Sequence, residues 1–168
     1  MKTHPLTRAA LLFALLLIVI DQITKNLVVE FMYEGQKEIL PFFNLTHVWN
    51  RGVSFGLFNH DHSGAWLLVG LSLVITVFFL IWLKRVDHKP LALAIGAVIG
   101  GALGNVIDRI RFGAVVDFVD LHVAGWHYPA FNVADSAIVL GIAYIILDSL
   151  LFEPKRHKMD HQTDHHEK

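Results

Sequence analysis

Asp135 stands in FNVADS (131–136), at the head of an apolar run that reaches Phe152. Asp117 lies in RFGAVVDFVD (111–120), with Asp120 three residues further on. Two carboxylates that meet in a low-dielectric cleft do not both ionise comfortably. One is driven to keep a proton, and the pair shares it. The ionised member then polarises a water while the neutral one protonates a carbonyl oxygen, which is peptide hydrolysis without metal or covalent intermediate. Such a pair titrates as a unit, so no single acid is assigned the proton. Other polar groups interrupt apolar sequence nearby: Asp21 and Lys25, then Asn105, Asp108 and Arg109, then Asn132.

The elements that must carry these residues are membrane spans. The chain has 168 residues, 54% hydrophobic and only 17% charged, whereas a soluble domain is about a quarter charged. Four apolar segments, about 9–29, 65–83, 90–107 and 131–152, each approach the roughly 20 residues a spanning helix needs. The first is read as an uncleaved span: no A-x-A-like site follows it, and Asp21 and Lys25 continue the same helix. Residues 1–152 form one membrane domain on this reading, and the polar, His-rich segment 153–168 is a solvated tail. The absence of cysteine excludes disulfides, thiol nucleophiles and Cys-ligated metals, and a net charge of -1 offers nothing to nucleic acid.

Nine of the 14 Lys and Arg residues fall in 1–8, 84–89 and 153–168. The positive-inside rule therefore places both termini in the cytoplasm. Trp49, Trp66, Trp126 and Tyr128 then lie near the outer boundary and Trp82 near the inner one. With this topology Asp21, Lys25, Asn105, Asp108, Arg109, Asn132 and Asp135 all fall at the outer ends of their spans, and Asp117 in the loop just beyond the third. A charge within a span costs on the order of 3 kcal/mol at the bilayer centre unless it faces a partner or water, so these groups are expected to face one another. Gly96, Gly100 and Gly104, four apart, form a small-residue track. Ala137 and Gly141 supply a matching surface on the fourth span, which predicts that spans three and four are neighbours.

Plainer roles compete. Asp117 can be a solvated loop acid, and Asp120 is its rival in the same loop. Asp135 can be an acid favoured by the helix dipole, with Asn132 as N-cap. Asp108 can pair with Arg109 to hold a helix end, and Asp21 with Lys25 within one helix. Asp148, thirteen residues past Asp135, lies about 20 Å further along the helix, near the cytoplasmic interface. Gly52-Val53-Ser54-Phe55-Gly56 fits G-x-S-x-G, but that motif works at a strand-to-helix turn of an α/β sheet, and the spans contain no histidine to serve a serine. No H-E-x-x-H is present, and the tail histidines are read as solvated.

Taken together, DQITK (21–25), NRGVSFG (50–56), GNVIDR (104–109), VVDF (115–118) and FNVADS (131–136) resemble, in order and spacing, the bacterial lipoprotein (type II) signal peptidases. The resemblance covers about residues 9 to 152. It implies an all-α integral membrane fold of four transmembrane helices, with a small extracytoplasmic β-element and a periplasmic lid helix near 40–64. It implies an aspartyl endopeptidase in the bacterial inner membrane, with its site near the periplasmic face. Such an enzyme cuts diacylglyceryl-modified prolipoproteins before the lipid-bearing cysteine, needs no cofactor or metal, is blocked by globomycin, and is expected to act as a monomer among membrane lipids. By motif the catalytic pair is Asp117 and Asp135. Asn50, Gly52, Asn105, Arg109 and Asn132 shape the site, and Asp21 and Lys25 are structural or substrate-proximal. A proton-coupled transporter using the same acids as a relay is the alternative. It would need polar groups through the whole membrane thickness, and the inner halves of the spans are nearly pure Leu, Val, Ile, Phe and Ala.

Overall fold

The computed structural model describes residues 5–32, 35–52 and 63–151. In chain order the elements are α1 (Pro5–Phe31), β1 (Gln36–Leu40), β2 (Phe43–Asn50), α2 (Ser63–Leu83), α3 (Lys89–Phe112), β3 (Val115–Val123), β4 (Trp126–His127) and α4 (Val133–Leu151). Each of the four helices is long and apolar enough to cross a membrane, and the chain is a multi-pass membrane protein.

The helices are not equivalent. Of the most apolar stretch of α3, 72% is buried, against 17%, 17% and 22% for α1, α2 and α4. α3 is therefore the axis of the bundle, while the others turn leucine, valine and phenylalanine outwards. Lipid gives helices no hydrophobic reason to associate, so close packing needs small residues where backbones meet. A Cβ on Gly96 would lie 2.5 Å from the Ala10 carbonyl oxygen, and one on Gly100 2.7 Å from that of Ala14. These two glycines receive α1, not α4 as the sequence track suggested. α3 and α4 are neighbours nonetheless, through Gly101 against the Ala134 carbonyl and Gly141 against that of Ala94. One residue of helix turns the contact face by about 100°, so Gly100 and Gly101 serve different partners.

α3 runs to Phe112, five residues past the end expected at Ile107, and its polar residues there find partners on α1: Asp108 meets Lys25, and Arg111 bonds Gln22 and Asn26. Gly113 closes it in the left-handed conformation (φ 71°), its N–H bonded to the Arg109 carbonyl. The chain then enters the sheet. The four strands lie in the order β1-β2-β3-β4, antiparallel throughout. The expected loop around Asp117 is in fact the nine-residue strand β3, VVDFVDLHV, whose valines and phenylalanine suit a half-buried pleat. Its first four residues are buried, with Val116 and Phe118 packed on Val28 of α1. The strand-like FNLTHVW is β2. The β-element is thus larger than expected and sits across the end of the bundle where α1 and α3 finish and α4 begins. Of the stretch 40–64, expected to carry the β-element and a lid helix, 43–50 is strand, and residues 53–62 lie outside the described residues, as does the tail from 152.

Gly101→Ala should lower the thermal midpoint in detergent, at an overpacking cost of about 1–3 kcal/mol. Gly70→Ala, with nothing within 4 Å of the new Cβ, should not lower it and should raise it slightly, as an unobstructed alanine inside a helix does.

Candidate active site at the sheet end of the bundle

β3 and the first turn of α4 each bring one acid to the same place. Asn132 is the N-cap of α4. Its side-chain oxygen accepts the Asp135 N–H at 2.9 Å, and its own N–H points back to Asp135 Oδ2 at 3.3 Å. This is a reciprocal capping box with aspartate in the N3 position. Asn132 is fully buried, and its Nδ2 donates to Asp117 Oδ1 at 2.7 Å. One asparagine therefore bridges both acids.

Two more amides complete the carboxylate surroundings. Asn50, at the end of β2, donates from Nδ2 to Asp117 Oδ2 at 2.9 Å, and its Oδ1 accepts the Gly52 N–H at 2.8 Å. Gly52 takes a positive φ of 76° in that turn, a conformation that glycine adopts without strain. Asn105 of α3 donates from Nδ2 to Asp135 Oδ1 at 2.8 Å. Each of the four carboxylate oxygens thus receives one N–H. Arg109, half-buried, bonds the Asn105 carbonyl from Nη1 at 3.3 Å, and its charge bears most on Asp135, then on Asp108 and Asp117.

Asp117 is almost wholly buried, at 1% exposure. Burial pushes its carboxyl up to about 6, and the neighbouring charge of Asp135 adds to this, while the hydrogen bonds from Asn50 and Asn132 and the charge of Lys25 pull the other way. Asp120 has a different environment. Residues three apart on a strand face opposite sides, and Asp120 accepts from Asn44 at 2.8 Å and Gln36 at 3.1 Å, with His127 at 2.8 Å. The hydrogen bond from Asn44, helped by His127, holds it below the ordinary carboxylate range.

Behind the pair lies a buried charge cluster. Lys25 Nζ contacts Asp21 Oδ2 at 2.8 Å, Asp108 Oδ2 at 3.0 Å and Asn105 Oδ1 at 2.9 Å. The intrahelical Asp21–Lys25 pair is present as expected, but Asp108 takes Lys25 as its ion-pair partner rather than Arg109. Gln22, which the sequence reading passed over, donates to Asp108 Oδ1 at 2.8 Å and to the Gly104 carbonyl at 3.2 Å. Its signal was its place between Asp21 and Lys25 in DQITK. Every residue singled out in the sequence for this site is within the cluster or beside it. Asp148 is remote, buried at the other end of α4 and bonded to His88 Nε2 at 3.1 Å.

A four-span membrane protein with paired carboxylates at one end of its bundle has the frame of an intramembrane aspartic peptidase. The family model for signal peptidase (SPase) II matches residues 13–151, and the chain belongs to that family of aspartic-type signal peptidases. It is 46% identical over 151 residues to a lipoprotein signal peptidase of Methylobacterium radiotolerans, covering 85% of this chain and 86% of that one. A lipoprotein signal peptidase of Burkholderia thailandensis is 44% identical over 140 residues, covering 82% and 84%. Among solved structures, a bacterial membrane enzyme determined in meso at 1.9 Å superposes with a TM-score of 0.72 at 32% identity, covering 86% of this chain and 94% of that one.

A hydrogen bond donated to a carboxylate favours its ionised form, so Asn50→Ala should raise the Asp117 titration above its value of about 6. Infrared spectroscopy of the protonated carboxyl band, assigned by its loss in Asp117→Asn, should show the band persisting about one pH unit higher.

Proposed function

We propose that this chain removes signal peptides from diacylglyceryl-modified prolipoproteins, cutting just before the lipid-bearing cysteine with water activated by Asp117 and Asp135. The observation that carries the reading is the Asn132 bridge, which donates to Asp117 Oδ1 at 2.7 Å and to Asp135 Oδ2 at 3.3 Å. In this mechanism one acid is ionised and takes a proton from water as it attacks the scissile carbonyl. The other is neutral and protonates the carbonyl oxygen, and the proton then passes to the leaving nitrogen. The raised titration of Asp117, to about 6, favours a singly protonated pair in mildly acidic solution, the shared proton being lost as pH rises through that value. The amides hold the carboxylates in place, so little reorganisation is needed during the reaction.

A groove of about 460 Å³ opens beside Asp135, lined by Tyr128, Phe131, Val139 and Leu140 among others. Its apolar wall continues onto the outward face of α4, where Val139 and Leu140 are 65% and 70% exposed. This supports lateral arrival of a substrate that is itself embedded in lipid. The basic residues of 1–8, 84–89 and 153–168 orient the sheet end away from the cytoplasm, with both termini cytoplasmic, residues 1–152 as one protease domain and the site near the periplasmic face of the inner membrane. Inhibition by globomycin and a monomeric enzyme follow from the same reading. A transport role lacks a polar path. Between Ser136 and Asp148, α4 offers only Tyr144, and between Pro90 and Asn105, α3 offers none.

Purified protein in micelles with EDTA should cleave a diacylglyceryl-modified prolipoprotein, and Asp117→Asn and Asp135→Asn should each lower kcat by roughly 1,000-fold or more while remaining folded. Cleavage retained by either variant would dismiss the dyad.

A further inference from the structure

Lys25 does not touch either acid, yet its ammonium decides how one of them is held. A lysine ammonium has three N–H donors and no acceptor. Here its contacts are Asp21 Oδ2, Asp108 Oδ2 and Asn105 Oδ1, at 2.8, 3.0 and 2.9 Å. Asn105 must therefore present its oxygen to Lys25, and its nitrogen is left facing Asp135 Oδ1 at 2.8 Å. The orientation of that amide follows chiefly from the donor-only chemistry of Lys25, the shorter of its two contacts, with Asn132 Nδ2 donating to the same oxygen at 3.4 Å. With the amide reversed, an NH₂ would meet the ammonium and an oxygen would meet the Asp135 carboxylate, and both contacts would be repulsive.

The two carboxylates on Lys25 reach the two elements that carry the acids. Asp21 Oδ1 accepts the Ala134 N–H at 2.9 Å, in the first turn of α4. Asp108 Oδ2 accepts the Val116 N–H at 3.1 Å, next to Asp117 on β3. Gln22 Nε2 contacts both carboxylates, Asp108 Oδ1 at 2.8 Å and Asp21 Oδ2 at 3.3 Å, and its own oxygen accepts from Arg111 at 3.2 Å. The cluster is thereby fixed from both sides. Lys25 is 2% exposed and Asp21 and Asp108 1% or less, so water does not compete for these contacts.

We infer that Lys25 is a positioning residue for the reaction. It locks the Asn105 amide so that its N–H is aimed at Asp135, and through Asp21 and Asp108 it sets α4 against β3. The inference rests on the reading of Asp117 and Asp135 as the dyad. It separates two roles within one polar cluster: Asn105 touches a dyad acid, whereas Lys25 acts through Asn105.

The test measures kcat, KM and thermal midpoint on a synthetic diacylglyceryl-modified prolipoprotein peptide in micelles. Asn105→Asp keeps an oxygen for Lys25 but sets a second carboxylate, in place of a donor, against Asp135. Its kcat should fall roughly 100-fold with KM held, the thermal midpoint being read to confirm that the variant is folded at the assay temperature. Wild-type kcat in Asn105→Asp would overturn the inference. Lys25→Met should lower kcat at least as far as Asn105→Ala does, since it also frees Asp21 and Asp108. The double variant should fall no further than Lys25→Met alone, because the loss of Asn105 acts only through a contact that Lys25→Met has already released. Additive losses in the double variant would also overturn it. Should Lys25→Met not fold, Lys25→Arg, which keeps the charge but moves its donors, decides in its place: kcat lowered with the protein folded upholds the inference, and wild-type kcat overturns it. Asp117→Asn and Asp135→Asn are assayed in parallel. If either still cleaves, the dyad reading itself fails; if both are dead and Asn105→Asp is fully active, only the role of Lys25 fails.

Discussion

An ammonium group enclosed by membrane helices must find its full set of acceptors inside the protein, and the geometry of this site follows from how Lys25 finds them. Desolvating a charge costs several kcal/mol, and removing one partner of a buried ion pair typically costs about 3–5 kcal/mol. The acceptors come from α1 and α3, and they pass the constraint on through backbone N–H groups to α4 and β3. Four elements, of which α1 is remote in sequence from the other three, are thus held by one charge. A purely apolar contact between them would be non-directional and would leave the rotation of each helix less defined. The cluster fixes those rotations because each of its hydrogen bonds has a direction.

The bundle reinforces this by bringing backbones close. α3 lies among α1, α2 and α4, and at Gly96, Gly100, Gly101 and Gly141 a side chain would collide with a neighbouring helix backbone. The same device reaches the polar cluster. A Cβ on Gly104 would lie 2.7 Å from Asp21 Oδ2, so the space that the carboxylate occupies exists only because that residue has no side chain. The apolar packing and the polar site are parts of one interface between α1 and α3.

Much of this was legible in the sequence because charges in apolar runs are costly and must have company. The depth of Asp21, Lys25, Asn105, Asp108, Asn132 and Asp135 along their spans was enough to bring them together. The four spans were equally plain from length and composition. Three things were not. Spacing along one helix does not say which neighbour it faces, so the glycine track was matched to α4 when Gly96 and Gly100 meet α1. Adjacent charges in sequence invite pairing, yet Asp108 and Arg109 point to different partners because one residue turns the helix by about 100°. The strand around Asp117 was hidden by its two aspartates, which look like loop residues until Asn44, Asn50 and Asn132 are seen to meet them. Strand geometry also explains what spacing alone left open between Asp117 and Asp120: they lie on opposite faces, and only Asp117 faces α4.

On the proposed mechanism Asp135 gains and loses a proton at every turnover, and the capping of α4 bears on how it can do so. A helix whose first turn relied on a single carboxylate would loosen whenever that carboxylate became neutral. Here the work is divided. The Ala134 N–H is bound by Asp21 and the Asp135 N–H by the Asn132 side chain, while among the cap groups the Asp135 carboxylate serves only the Asn132 N–H, at 3.3 Å, its other oxygen taking the Asn105 N–H of α3. Protonating Asp135 therefore weakens the longest of these three bonds and leaves the other two untouched. The end of the helix keeps two of its three cap bonds whatever the charge on Asp135, as the proposed role of that acid requires.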